Sequence, residues 1–189
     1  MMTQHLARVT PPPPMEVSLA QLCALMQGLP WGQAERYLPF LNRAMQEADI
    51  QTPRRQAVFL AQLAQVSNDL RQLEEPSSGE AYEGRKDLGN LQPGDGRRYK
   101  GRGPFPLVGR TRYRAAGRAL GIDLEKYPSR ASDPDVGFRV AAWFWRGNGL
   151  NQLADVGKLS AISRVLNPHL QKASDLDIRY RRALAAFGV

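Results

Sequence analysis

The sequence predicts a mainly α-helical domain interrupted by one long Gly-rich loop. Apolar residues recur at helical spacing in several stretches, good N-capping residues precede these stretches, and Pro and Gly interrupt the pattern between residues 75 and 104. The chain has 189 residues, of which 42% are hydrophobic and 23% charged. This length and composition are typical of one globular domain with its own core, which we place at residues 15–189.

Capping residues mark where the helices begin. Ser18 and Gln21 form a capping-box pattern, Thr52 precedes Pro53, and Asp133 precedes Pro134. The helix after Thr52 carries one apolar stripe, which consists of Phe59, Leu63, Val66 and Leu70. Further helices are expected at about 33–49 with a bend near Pro39, and at about 110–120, 158–166 and 174–187.

The loop between residues 75 and 104 is the candidate binding segment. Ten Pro and Gly residues leave room for at most a short hairpin, and loops of this length in compact domains are usually functional or disordered. The chain has a net charge of +8 and a pI near 10.1. Residues 80–118 hold ten cations against four acidic residues, which indicates either an anionic partner or a solvated basic face. Nucleic acid is the disfavoured partner, because no helix-turn-helix, zinc-finger or RNA-recognition pattern is present.

Several classes of chemistry are excluded. The only cysteine is Cys23 and the only histidines are His5 and His169, so no intramolecular disulfide forms and no metal or cofactor is expected. P-loop, dinucleotide-binding, nucleophile-elbow and zinc-protease patterns are absent. No apolar run has the roughly 18 residues of a membrane span. Residues 1–14 end in four prolines and lack a signal-peptide pattern, so we expect a flexible lead and cytoplasmic synthesis, with any export through a holin, a particle or a secretion system.

Carboxylate chemistry remains, and Glu83 is its main candidate. It lies in the loop beside Arg85 and Lys86, whose charges favour the ionised form that a general base needs. The alternative is an exposed loop glutamate paired with Arg85.

Three stretches carry a family resemblance. Residues 98–104, which read RYKGRGP, resemble the Y-x-G-R-G-P signature of family 19 glycoside hydrolases, the chitinases and phage endolysins. Residues 131–134 and 142–145 resemble the A-T-D-P and W-F-W segments of a core helix in that family. Residues 81–90, AYEGRKDLGN, are very similar to its bacterial and phage branch.

The resemblance covers nearly the whole chain and implies a two-lobed, lysozyme-like fold with a glycan cleft. Members are inverting hydrolases, in which one Glu protonates the leaving oxygen and another activates water. The resemblance implies Glu83 as the base. The acid belongs to a His-Glu-Ser/Thr triplet, but the matching positions here are Gln65 and Val66, so the proton donor is absent. Asp69, three residues further on and on the same helical face, is a candidate substitute acid, although its shorter side chain starts a turn away.

Other expected cleft groups have also changed. The family's G-R-G-P-I-Q-L-[ST] becomes Gly-Arg-Gly-Pro-Phe-Pro-Leu-Val, so that Pro106 and Val108 replace a glutamine and a hydroxyl. The late arginine of the family's carboxylate network falls near Asp175 or Leu176. Arg112 replaces an asparagine. The substrate-binding residues implied by the resemblance are Asn68, Tyr99, Arg102, Arg112, Tyr113 and Asn167.

Three hypotheses follow. The first is a chitinase- or endolysin-like pseudoenzyme, inactive or strongly impaired, that binds peptidoglycan, a chitin-type glycan or an acidic protein partner in a phage-derived or secretion-linked setting. The second is a weakly active inverting hydrolase of β-1,4 bonds that uses Glu83 with Asp69, Glu74 or Glu75. The third, a minor one, is nucleic-acid binding through the basic loop.

Overall fold

The computed structural model describes residues 15–166 and 174–189, and over these ranges the fold is mainly helical. The lead at 1–14 lies outside them. The α-helices in these ranges are α1 (Leu19–Leu25), α2 (Trp31–Glu47), α3 (Pro53–Val66), α4 (Asp95–Arg98), α5 (Arg110–Leu120), α6 (Pro134–Gly147), α7 (Leu150–Asp155), α8 (Leu159–Leu166) and α9 (Ser174–Phe187). Short 3-10 helices occupy Glu80–Tyr82, Lys86–Leu88 and Pro128–Ser132. Within the described ranges no helix is both long and apolar enough to span a bilayer.

The predicted side-chain caps are confirmed at Ser18 and Thr52 and wrong at Asp133. Ser18 accepts from the Gln21 N–H at 3.2 Å, and the Gln21 side chain accepts from the Ser18 N–H at 2.9 Å. Thr52 accepts from the Arg55 N–H at 3.2 Å. Asp133 stands at the N-cap of α6 but makes no capping bond with its side chain, so Pro134 at the first helical position marks this start.

The helix predicted at 33–49 begins earlier than expected. The α2 helix starts at Trp31 directly after Pro30 and continues through Pro39 to Glu47. A proline inside a helix removes one backbone hydrogen bond but does not end it when packing holds both halves. Tyr37 and Leu41, on either side of Pro39, are both buried.

The loop predicted at 75–104 contains no strand. Between Glu74, Arg102 and Leu107 the described chain forms two isolated antiparallel bridges, so the short hairpin is reduced to single residue pairs. Two 3-10 turns and the one-turn helix α4 also lie in the loop, and the rest of it is turns and irregular chain.

Two hydrophobic clusters hold the fold. The major cluster surrounds α3, where Phe59 packs edge-on against Phe105 and Trp145 with ring centroids 5.7 and 5.1 Å apart. The minor cluster contains Tyr99, Leu107, Tyr113, Ala116, Leu124, Ala131, Val136 and Val140. Helix α6 contributes to both clusters. The 101–108 segment does the same, since Phe105 packs in the major cluster and Leu107 in the minor one, and this fixes the segment between them.

Candidate active site

Val66, which the sequence resemblance matches to the family's general acid, lies at the end of α3. Val66 is the last residue of this helix, is half-buried, and packs against the major cluster. Gln65 stands at the histidine position, and its Oε1 atom is buried without a hydrogen-bond partner. Neither side chain can donate a proton to a glycosidic oxygen.

The expectation that Asp69 extends the helical face of Val66 is wrong. Helix α3 ends at Val66, and Asn68, Asp69 and Leu70 follow with φ angles of 51°, 58° and 59°. Left-handed backbone costs a residue with a Cβ about 1–2 kcal/mol, and Asn and Asp tolerate it best. The Ser67 hydroxyl supports this turn, because it donates to the Leu63 carbonyl at 2.6 Å and accepts from the Leu70 N–H at 2.8 Å.

Both oxygens of the Asp69 carboxylate have partners. Oδ1 pairs with the Arg179 guanidinium from α9, and Oδ2 accepts from the Gly28 N–H at 3.0 Å. The Asp69 side chain is only 11% exposed. Arg179 was not among the predicted site residues, and it lies a few residues beyond the expected place of the family's late arginine. This bonding favours a structural role over proton donation.

Glu83 is held at a defined place by backbone amides. Its Oε1 accepts from the Gly94 N–H at 2.6 Å and its Oε2 from the Gly96 N–H at 2.7 Å, at the start of α4. A Cβ on Gly96 would lie 2.6 Å from the Glu83 nitrogen, so only glycine fits there. The alternative pairing with Arg85 does not form, because Arg85 binds Asp87. Glu83 is exposed, and it remains the predicted base.

An ionic network anchors α4 and, through it, the amides that hold Glu83. Arg110 donates to both oxygens of the buried Asp95 at 2.9 and 2.5 Å, and also to Glu125 at 2.8 Å. Arg114 donates to Glu125 at 2.7 Å. The hydrogen bond from Arg110 lowers the pKa of Asp95 below its ordinary value. The hydrogen bond from Arg114, assisted by Arg110, lowers the pKa of Glu125 to about 2.

Acidification should therefore weaken the fold through this network. Because the folded pKa values are depressed, the ionised carboxylates stabilise the protein fully above their ordinary pKa values. For Glu125 this contribution begins to fall below about 4.5 and is lost near pH 2. Urea unfolding at a series of pH values should show that the free energy of unfolding declines at low pH, and this decline should be smaller in Glu125→Gln. An unchanged decline in that variant would contradict the assignment.

Tyr99, Arg102 and Tyr113 meet in the interior. Arg102 donates to the Tyr113 hydroxyl at 3.1 Å, and the two tyrosine rings lie 5.3 Å apart. Both tyrosines are at most 1% exposed, and burial raises the pKa of Tyr113 to about 12. The Tyr113 hydroxyl donates to the Lys100 carbonyl at 2.7 Å. These contacts favour a role in positioning the loop, and substrate contact by the three residues stays a prediction.

Glu74 and Glu75, the other carboxylates near the loop, are also engaged. Burial opposes ionisation of Glu74, but a hydrogen bond from Lys100 and the charge of Arg102 outweigh it, and the pKa of Glu74 is lowered. Glu75 accepts from the Tyr82 hydroxyl at 2.9 Å and from the Gly101 N–H at 2.8 Å. A carboxyl with a lowered pKa is a poor proton donor near neutral pH.

The remaining predicted binding residues lie at the surface or outside the described ranges. Asn68 and Arg112 are exposed, as is Pro106, while Val108 is half-buried. Asn167 lies outside the described residues. Within the described residues, no hydrogen bond or ion pair joins Asn68 to Glu83 or to Arg112.

The basic surplus of residues 80–118 is partly neutralised by acids outside that segment. Glu74 binds Lys100 and Arg102, and Glu125 binds Arg110 and Arg114. Within the described residues, four cations of this segment form no ion pair with an acidic side chain: Lys86, Arg98, Arg112 and Arg118. Of these, Arg98 donates to the backbone carbonyls of Glu125 and Lys126. No group of three or more His, Cys, Asp or Glu side chains in those parts could hold a metal ion.

Known proteins match this chain in sequence. Residues 73–156 match the family model described as chitinase class I. The chain is 30% identical over 143 residues to acidic endochitinase SP2 of Beta vulgaris, covering 70% of this chain and 49% of that protein. It is 52% identical over 48 residues to chitinase 8 of Oryza sativa subsp. japonica, covering 25% of this chain and 18% of that protein. The chain thus spans about half the length, or less, of these relatives.

Solved structures match almost the whole fold. Chitinase C from Streptomyces griseus HUT6037 superposes with a TM-score of 0.74 at 21% identity, over 92% of this chain and 93% of that one. A family 19 class IV chitinase from Zea mays gives 0.72 at 22% identity, over 92% and 93%. The fold is therefore the mainly helical, lysozyme-like fold of these hydrolases. The family model, the relatives and the fold together support a relationship to the family 19 glycoside hydrolases, which is strongest over residues 73–156.

Proposed function

We propose that this chain is a chitinase-like pseudoenzyme, inactive or strongly impaired, which works as a binding or structural module. The observation that carries the proposal is Val66 at the position of the general acid, at the end of α3 and packed against the core. General acid catalysis contributes about 10²–10⁴-fold to such reactions. Loss of the donor alone therefore costs roughly 3–5 kcal/mol of transition-state stabilisation.

Nearby carboxylates support the proposal, because none is a free substitute. Asp69 is bound by Arg179 and Gly28, Glu75 by Tyr82 and Gly101, and Glu74 has a lowered pKa. A general acid must carry a proton at the working pH and reach the leaving oxygen. Each of these groups has its oxygens committed within the protein.

The proposed ligand is a glycan of the peptidoglycan or chitin type, or an acidic protein partner. Chitin is favoured among the glycans by the names of the relatives, and the setting we propose is phage-derived or linked to secretion. The second candidate function, a weakly active inverting hydrolase, is favoured by one observation: Glu83 is exposed and held in place by two amides. A base fixed in this way could still activate water.

Product analysis on defined substrates distinguishes the two functions. The full chain is incubated with chitin hexasaccharide and, separately, with purified peptidoglycan, and the released fragments are separated by chromatography. We expect no release above the level of Glu83→Gln on either substrate. Turnover by the unaltered chain that Glu83→Gln abolishes would refute the pseudoenzyme and establish the hydrolase.

A further inference from the structure

A small pocket opens beside the altered 101–108 segment. Phe105, Pro106 and Leu107 of this segment form part of it, and Val140 and Phe144 of α6 form another part. Val165 and Leu166 at the end of α8 and Arg112 of α5 complete the lining. Its volume is about 90 Å³, or about three water molecules at roughly 30 Å³ each, which is room for one branched aliphatic group.

The side chains of this pocket suit an apolar group better than a sugar. Apart from Arg112, every side chain that lines it is apolar and can neither donate nor accept a hydrogen bond. A hydroxyl that is buried without a partner costs about 1–3 kcal/mol, whereas an aliphatic group gains from the same burial. Val165, at its edge, is a large hydrophobic residue that is 39% exposed.

Arg112 gives the pocket an exposed positive charge, which also acts on the Asp87 carboxylate without forming an ion pair with it. Its neighbours on α5 are committed, Arg110 to Asp95 and Glu125, and Arg114 to Glu125. Arg112 is exposed and makes no ion pair with any residue in the described ranges. A carboxylate beside a bound aliphatic group would meet this guanidinium, for which bidentate pairing is the strongest arrangement.

We propose that this pocket binds one aliphatic side chain of an acidic protein segment, whose carboxylate pairs with Arg112. The proposal rests on the proposed function, since it names the partner of the same degenerate site. Charge complementarity with the basic surplus of residues 80–118 favours an acidic partner, and the apolar lining favours a protein segment over a glycan.

The test uses a defined peptide on the full chain. The probe is an N-acetylated, C-amidated pentapeptide in which one leucine stands between two pairs of acidic residues. Methyl NMR signals of Val140, Val165 and Leu166 are followed during its titration. We expect these signals to shift, and we expect a matched peptide with asparagine in place of leucine to leave them unmoved.

Two variants test whether the peptide pairs with Arg112 itself or responds only to the overall positive charge of the surface. Arg112→Gln should weaken peptide binding by about 2- to 5-fold, the range of an exposed ion pair. Arg118→Gln, on the same helix and likewise without an ion pair, should leave binding unchanged. An equal effect of both substitutions would overturn the pairing with Arg112.

Chitin hexasaccharide provides the opposing arm of the test. If the hexasaccharide shifted the three methyl signals and the leucine peptide did not, the proposal would be overturned in favour of a glycan pocket. The proposal would also be overturned if the peptide caused no shift at millimolar concentration. Neither result bears on whether the chain is a pseudoenzyme. Conversely, hydrolysis of the hexasaccharide would refute the pseudoenzyme while peptide shifts still supported the pocket.

Discussion

Removal of the Asp69 carboxylate should lower the free energy of unfolding by about 2–4 kcal/mol. Arg179, whose side chain is 20% exposed, would lose its partner, and the Gly28 N–H would lose its acceptor. Breaking a buried ion pair from one side costs about 3–5 kcal/mol, because a charge remains buried and unpaired. The partial exposure of Arg179 places the expected value toward the lower end of this range.

Two variants separate the ion pair from the backbone. Asp69→Ala also places alanine at a φ of 58°, whereas Asp69→Asn keeps a residue that tolerates this conformation and can still accept from Gly28. Arg179→Met leaves the left-handed turn unchanged. In chemical unfolding, Asp69→Ala should lose the most free energy of unfolding, and Asp69→Asn and Arg179→Met should each lose less.

The exposed pair between Arg85 and Asp87 provides the matched control. Both side chains are about half exposed or more, so Asp87→Ala should destabilise the protein far less than Asp69→Ala does. If Asp69→Ala were no more destabilising than Asp87→Ala, the contact with Arg179 would not stabilise the end of α3.

The helices were predictable because their signals are local. The bonds of Ser18 and Thr52 to the first turn lie within three residues, and the apolar stripe of α3 repeats at helical spacing. The loop was predictable as irregular chain from its Pro and Gly content, but its 3-10 turns and single-residue bridges follow from long-range contacts. Gly79 and Gly96, for example, can approach each other only because neither has a side chain.

The candidate site was predictable only in part, because its partners lie far apart in sequence. The three-residue spacing would place Asp69 on the same helical face as Val66 only if α3 continued to Asp69. The left-handed turn that begins at Asn68 ends the helix before that point. The Asp69–Arg179 pair joins residues 110 positions apart, and no local pattern marks it. The prediction that Val66 replaces a proton donor, by contrast, needs only the identity of the residue at that position.

Restoration of the proton donor should create measurable hydrolysis if the site is degenerate. Val66→Glu would place a half-buried carboxyl at the last position of α3, where burial and the negative end of the helix dipole both favour the protonated form. Such a carboxyl suits a general acid. Combined with Pro106→Gln and Val108→Thr, which return hydrogen-bonding side chains to the 101–108 segment, it should raise release of chitin fragments by at least about 10²-fold.

The same triple variant distinguishes the two functions through Glu83. In the degenerate site Glu83 is the only retained member of the acid–base pair, so Glu83→Gln added to the triple variant should remove the gained activity. A weak hydrolase that already uses another carboxylate as its acid would gain little from Val66→Glu, and its basal turnover would depend on that carboxylate. A gain that survives Glu83→Gln would show that water is activated elsewhere, and the role of the amides of Gly94 and Gly96 would then be confined to holding the loop.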